Sequence, residues 1–289
     1  MNRRIPVSLV AAALLQLVAC RAGAVAAPPR PAATQAPLTV EQVIARNAAA
    51  RGGVEAWQKI TSMAWTGRAE TDAKKNQPLP FLLQQQRPNR TRFELMQNGL
   101  RAVRAFDGSV GWKLKPDPTS GRPDIKPYTA EELAFARASQ VIDGPLMDYV
   151  ARGAAVSLVG EGDVDGHKAF VLDVKLPSGG GQRVWVDEQS FLEVRHDRTG
   201  HGAEGAGSLV TVYFRDYRDF QGLKMPTVIE TTAGPGRPAN RLIIERVALN
   251  PELDETAFDK PPERVSRRHG VVVDTRSAAR GSSATAARP

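Results

Sequence analysis

The sequence predicts an α+β fold built on one strongly curved antiparallel sheet of roughly 11–13 strands, with helices covering its concave side. Three observations predict it. From Val156 to Leu249, short segments alternate apolar and polar residues with a period of two, divided by Gly- and Asp-rich turns. No helical interval separates those segments, which points to an antiparallel meander and not to βαβ units. A second set of such segments lies upstream, Ser62–Leu114, before a single helical insertion. A single antiparallel sheet of that size must curl.

The N-terminal stretch Met1–Ala19 has the form of a secretory signal: Arg3 and Arg4 form a basic region and Ile5–Ala19 an apolar one. The apolar part is shorter than the ~20 residues that a membrane-spanning helix needs. Residues 21–37 are Pro/Ala-rich, with Pro28, Pro29, Pro31 and Pro37, and read as an extended, disordered linker. Thr39-x-x-Gln42 is a capping box, and Val40, Val43 and Ile44 recur at helical spacing until Gly52-Gly53. Val54–Ile60 reads as a second, short helix with Trp57 on its apolar side.

Strands are expected at Ser62–Thr71, Leu79–Gln86, Arg90–Gln97, Leu100–Phe106 and Val110–Leu114, with hairpin turns at Asn98-Gly99 and Asp107-Gly108. Lys115–Tyr128 holds four prolines and is expected to be a surface loop. Thr129-x-x-Glu132 is a second capping box, which starts a helix from Ala130 to about Ile142. Asp143-Gly144-Pro145 breaks it, and Leu146, Tyr149 and Val150 fall on a further short helix. The seven strands of the long run are then Val156–Val159, Lys168–Lys175, Gln182–Asp187, Phe191–Arg195, Leu209–Tyr217, Met225–Thr232 and Leu242–Leu249. One domain, 38–260, is expected, followed by a disordered basic tail, 261–289.

Hydrophobic residues make up 42% of the 289, enough for a sizeable core. The net charge of +8 could indicate nucleic acid, but its location argues against that. Arg3 and Arg4 carry two of the charges, and Lys260–Pro289 carries seven basic against two acidic residues. The body is left near +1, so a phosphate-binding groove is not expected. The tail reads as a solvated arm, or as a contact for anionic lipid or cell-wall polymer.

Cys20 is the only cysteine, which excludes a disulfide within the chain. It ends the stretch Leu17-Val18-Ala19-Cys20, which resembles the lipobox of bacterial lipoproteins. That resemblance implies lipidation of Cys20 and, with Arg21 next to it, anchoring in the outer membrane of a Gram-negative bacterium, facing the periplasm. The alternative is cleavage after Ala24-Val25-Ala26, which would release a soluble periplasmic protein.

The body resembles the LolA/LolB-like periplasmic lipoprotein-carrier superfamily, with its outer-membrane lipoprotein-sorting protein relatives. The resemblance rests on an ordered set of short pieces that covers most of Leu38–Pro262. They include Ala48–Trp57, Phe106–Trp112, Asp143–Tyr149, Val159–Gly166, Val184–Asp187, Leu192–Arg195 and Gly222–Pro226. It implies an incomplete β-barrel, or strongly curved sheet, whose apolar concavity receives acyl chains; a monomer without cofactor is expected. A lipidated Cys20 departs from the soluble carriers and is more similar to an anchored acceptor.

Ten large apolar residues are candidates for a cavity wall: Trp65, Phe81, Leu83, Phe93, Leu95, Trp112, Phe170, Leu172, Trp185 and Tyr213. The competing reading is that they pack against the covering helices. Gly200–Gly205 spells GxGxxG, but a strand follows where a dinucleotide site needs a helix, so a hairpin loop is expected. Gly160–Gly166 lacks the ligand set of a calcium loop and reads as a polar turn. His196, Asp197 and His201 have no recognised zinc spacing. No metal, cofactor or catalytic residue is expected, and no His-Glu-x-x-His or Gly-x-Ser-x-Gly motif occurs. The expected function is non-catalytic binding of a lipid, an acyl chain or a lipoprotein. The alternative is a protein-interaction or stress-sensing module that uses the same surface.

Overall fold

Two capping boxes set the helices. Thr39 Oγ1 accepts from the Gln42 amide while Gln42 Oε1 accepts from the Thr39 amide, starting α1 (Val40–Ala50). Gly52 and Gly53 then take positive φ and turn the chain into α2 (Val54–Gln58), which buries Trp57. Thr129 and Glu132 form the same reciprocal pair at the start of α3 (Ala130–Ala138). The computed structural model of the chain describes residues 37–71, 77–117, 119, 123–139, 142–177, 180–200, 207–234 and 239–261. The unit that carries the sheet begins at Leu38. The signal segment, Cys20, the Pro/Ala-rich linker, His201 and the basic tail lie outside the described residues.

Among the described residues, thirteen strands form one antiparallel sheet. The first group is β1 (Ser62–Thr71), β2 (Leu79–Gln86), β3 (Arg90–Gln97), β4 (Leu100–Phe106), β5 (Gly111–Lys115) and β6 (Asp124–Pro127). The second is β7 (Ala155–Val164), β8 (His167–Lys175), β9 (Gly181–Asp187), β10 (Glu193–Thr199), β11 (Leu209–Phe220), β12 (Leu223–Ala233) and β13 (Asn240–Leu249). The spatial order is β6-β5-β4-β3-β2-β1-β13-β12-β11-β10-β9-β8-β7. Each group is a meander, and the first and last strands join them in the middle, with Met63 opposite Leu249 and Trp65 opposite Val247. The sheet stays open: β6 and β7 are its two edges.

That topology explains why helices cover one face. Strands β6 and β7 are consecutive in sequence yet lie at opposite edges, so the chain between them, α3 and residues 142–154, must cross the sheet. It crosses the inner face of a curved sheet. Helix α1 lays Val43 and Ile44 on Leu172, Val174, Val184 and Val186 of β8 and β9. Helix α2 sets Trp57 against Met63, Leu223 and Met225 of β1 and β12. On the outer face, a short 3₁₀-helix (Glu255–Phe258) covers β3–β5, where the Trp112 indole N–H donates to the Phe258 carbonyl at 2.9 Å.

Several local expectations need correction. The loop expected over Lys115–Tyr128 contains β6, which sits at an edge, where a proline leaves no ladder hydrogen bond unmade on the inner side. The helix expected to reach Ile142 ends at Ala138, and Leu146–Val150 forms turns, not a helix. The segment Phe191–Arg195 starts two residues late as β10, because Phe191 has φ 56° and closes the turn after β9. Gly160–Val164 continues β7 through a bulge instead of turning; the turn is Asp165-Gly166, both at positive φ.

Candidate ligand cavity

Beneath α3 lies a cavity of about 660 Å³, within the ~300–1,000 Å³ range of small-molecule sites. Its floor is the inner face of β1 and β9–β12, with Trp65, Phe214 and Ile229. Its roof is α3, with Ala134, Phe135 and Ala138, continued by Ile142 and Pro145. Arg51 and Trp57 close one side. Arg198 of β10 lies 4.9 Å from the centre of the Phe135 ring, a cation–π contact between floor and roof.

Two polar anchors hold the roof. Glu132, on the first turn of α3, is almost wholly buried. It accepts from Lys113 Nζ at 2.7 and 3.0 Å, from Arg104 at 3.0 Å and from the Thr129 amide at 2.9 Å. Burial pushes its carboxyl up, but those donors outweigh burial and bring it down to about 2. Beyond α3, Asp143 is gripped by Arg87 and by Arg152 at 2.5 Å, and its carbonyl accepts from Arg51 at 2.7 Å.

One end of the cavity is polar. Arg51 Nη1 is 3.2 Å from Glu193 Oε1, and Glu193 Oε2 is 2.8 Å from His196 Nε2. The Tyr217 hydroxyl donates to the Glu193 carbonyl at 2.8 Å. Arg51 also stacks on Trp57, 4.5 Å from the ring centre. Burial raises the Glu193 carboxyl, yet the Arg51 charge and the His196 hydrogen bond win and lower it overall. Burial, then the Glu193 charge, push the Tyr217 hydroxyl upward.

Of the ten expected wall residues, Trp65 lines this cavity. Phe81, Leu83, Phe93 and Leu95 share its face of the sheet farther along β2 and β3, where Phe81 and Phe93 lie 5.9 Å apart. Phe170 and Leu172 are also on the inner face, but α1 covers them, and Phe170 stacks on Phe191 at 6.0 Å. The other three correct the expectation of one shared wall, since the register turns them to the outer face. Trp112 pairs with Ala105 and packs with Val103. Trp185 and Tyr213 pack with Val164, Ala169 and Val171, and Arg195 lies 4.3 Å from the Trp185 ring centre.

Sequence reasoning missed Arg51, Glu193, His196, Tyr217, Phe214 and Ile229 as cavity residues. Residues three apart on a regular strand point to opposite faces. A register shift between Glu193 and Arg195 brings Glu193 and His196 to the same face, and nothing in the local sequence signals it. Asp197 points outward to Arg195, so it does not join His196. Among the described residues, no group of three His, Cys, Asp or Glu side chains could hold a metal ion. Among them too, no helix is long and apolar enough to cross a membrane.

No protein-family model matches the chain. No curated protein matches it. Solved structures do. A LolA superfamily protein from Nitrosomonas europaea superposes with a TM-score of 0.50 at 12% identity, over 78% of this chain and 99% of that one. The fold is LolA-like. A DUF1329 family protein from Desulfovibrio piger superposes equally well, with a TM-score of 0.50 at 11% identity, over 77% of this chain and 98% of that one. Within this LolA-like sheet, the cavity under α3 is formed by residues far apart in sequence, from Arg51 to Ile229.

Proposed function

We propose that the protein is a non-catalytic lipoprotein of the cell envelope that binds a lipid, an acyl chain or the acyl group of a lipoprotein beneath α3. The observation that carries this reading is the cavity itself: about 660 Å³, walled by aromatic and aliphatic side chains, between the sheet and a single short helix. Filling it would remove apolar surface of protein and ligand from water together, at roughly 25 cal/mol per Å². The lipobox ending at Cys20 supports an envelope location, with acyl chains as the anchor and the outer membrane as its site.

Detergent-stripped protein titrated with 1-N-phenylnaphthylamine, a neutral apolar probe, tests the reading. Saturable fluorescence enhancement is expected. Ala138→Trp from the roof and Ile229→Trp from the floor should each abolish it while the protein stays folded. Saturation that survives both substitutions would place the probe elsewhere and refute the cavity as the binding site.

A further inference from the structure

We propose that the cavity selects an amphiphile with an anionic head, held by His196 as an imidazolium, so that anion and proton bind together; this rests on the cavity being a lipid site. The geometry starts from how the polar end satisfies itself. Glu193 gives one oxygen to Arg51 and the other to His196 Nε2. Tyr217 is engaged with the Glu193 carbonyl, and Arg51 with Glu193 and the Asp143 carbonyl. Among the described residues, no partner engages the second ring nitrogen of His196, Nδ1, and it is not sealed from solvent-sized space. His196 lines the cavity, with its ring edge-on to Phe214 at 4.6 Å.

The charges decide which head fits. Arg51 and Glu193 cancel as a pair, and the two charges of Arg87 and Arg152 are met by Asp143 between them and by Asp148 beside Arg152. The Glu193 carboxylate sits 2.8 Å from Nε2, and histidine is the side chain that can take up a proton within the physiological pH range. In the charged form Nδ1 becomes a donor, and the cluster gains one positive charge with an apolar cavity in front of it. A carboxylate, sulfonate or phosphate head at Nδ1 would neutralise that charge. Of the other groups lining the cavity, Arg198 lies two residues along the same strand and over the Phe135 ring, Gln182 of β9 is neutral, and Glu131 faces from α3. The apolar tail would then run over Phe214, Ile229 and Trp65.

The test displaces bound 1-N-phenylnaphthylamine with 1-hexadecanesulfonate, whose head stays anionic throughout, and with 1-hexadecanol, at about pH 5.5 and about pH 8. The readout is the ratio of sulfonate to alcohol affinity within each protein, so changes in cavity packing cancel. In the native protein that ratio should be higher at the lower pH, by roughly tenfold. His196→Gln can still hydrogen-bond Glu193 but cannot gain charge, so its ratio should not change with pH. A flat ratio in the native protein, or a pH-dependent ratio that survives in His196→Gln, overturns the inference and leaves the lipid reading standing. A probe that never saturates overturns the lipid reading, and this inference with it.

Discussion

Glu132→Gln tests the attachment of the roof. The substitution keeps the volume and the capping box, since glutamine serves at that position as well as glutamate. It removes the charge that receives Lys113 and Arg104. Loss of a buried partner costs ~3–5 kcal/mol when the remaining charge stays buried. Here Arg104 is 44% exposed and Lys113 20%, so both can recover part of their hydration, and about 2 kcal/mol is expected. The titration of Glu132 gives an independent ceiling. A carboxyl held at about 2 in place of an ordinary 4.5 corresponds to about 3 kcal/mol, at ~1.4 kcal/mol per unit of pKa. That stabilisation is fully present above pH ~4.5 and is lost as the pH falls toward 2, because protonation then favours the unfolded chain. Urea unfolding near neutral pH should show the ~2 kcal/mol loss, or a melting temperature ~4–8 °C lower for a folded body of this size. The native protein and the variant should converge as the pH approaches 2. A loss below ~0.5 kcal/mol at neutral pH, or an undiminished difference at pH 2, would refute the assignment of Glu132 as the charged anchor of α3.

Other substitutions separate the two faces of the sheet. Trp112→Phe removes the buried hydrogen bond to the Phe258 carbonyl and should cost ~1–3 kcal/mol in denaturant unfolding. Because Trp112 is on the outer face, probe affinity should stay the same; a large drop would contradict the register. Gly67→Ala places a Cβ in overlap with the Ile243 carbonyl, at the bulge where β1 meets β13, and should destabilise by ~3 kcal/mol or more in the same assay. Cys20→Ala should release the protein from the membrane fraction of its host, and unchanged membrane association would contradict the lipid anchor.

The strands were legible because their period of two is local. Ser62–Thr71, Leu79–Gln86, Arg90–Gln97 and Leu100–Phe106 have the bounds that alternation and turn residues predict. Both capping boxes were equally legible, since each is complete within four residues. Strand β6 was not, because prolines hide an edge strand, and Leu146–Val150 was misread because local helical spacing did not outweigh the turns made there. The wall residues show the same boundary. Alternation says which residues of one strand share a face, but not which face of the sheet that is.

The sequence by itself therefore determined the class of fold, the nature of its strands and most of their positions, and the starts of α1 and α3. Tertiary structure alone decided that β1 and β13 meet at the centre of the sheet, that the β6–β7 connection must cross the inner face, and that Trp112, Trp185 and Tyr213 point away from it. It also assembled Arg51, Glu193, His196 and Tyr217 at one end of an apolar cavity. The physical reason is that register and bulges arise between strands. The extra residue of β10 between Glu193 and Arg195 turns a side chain from one face to the other, and it is recognisable only from how β10 pairs with β9.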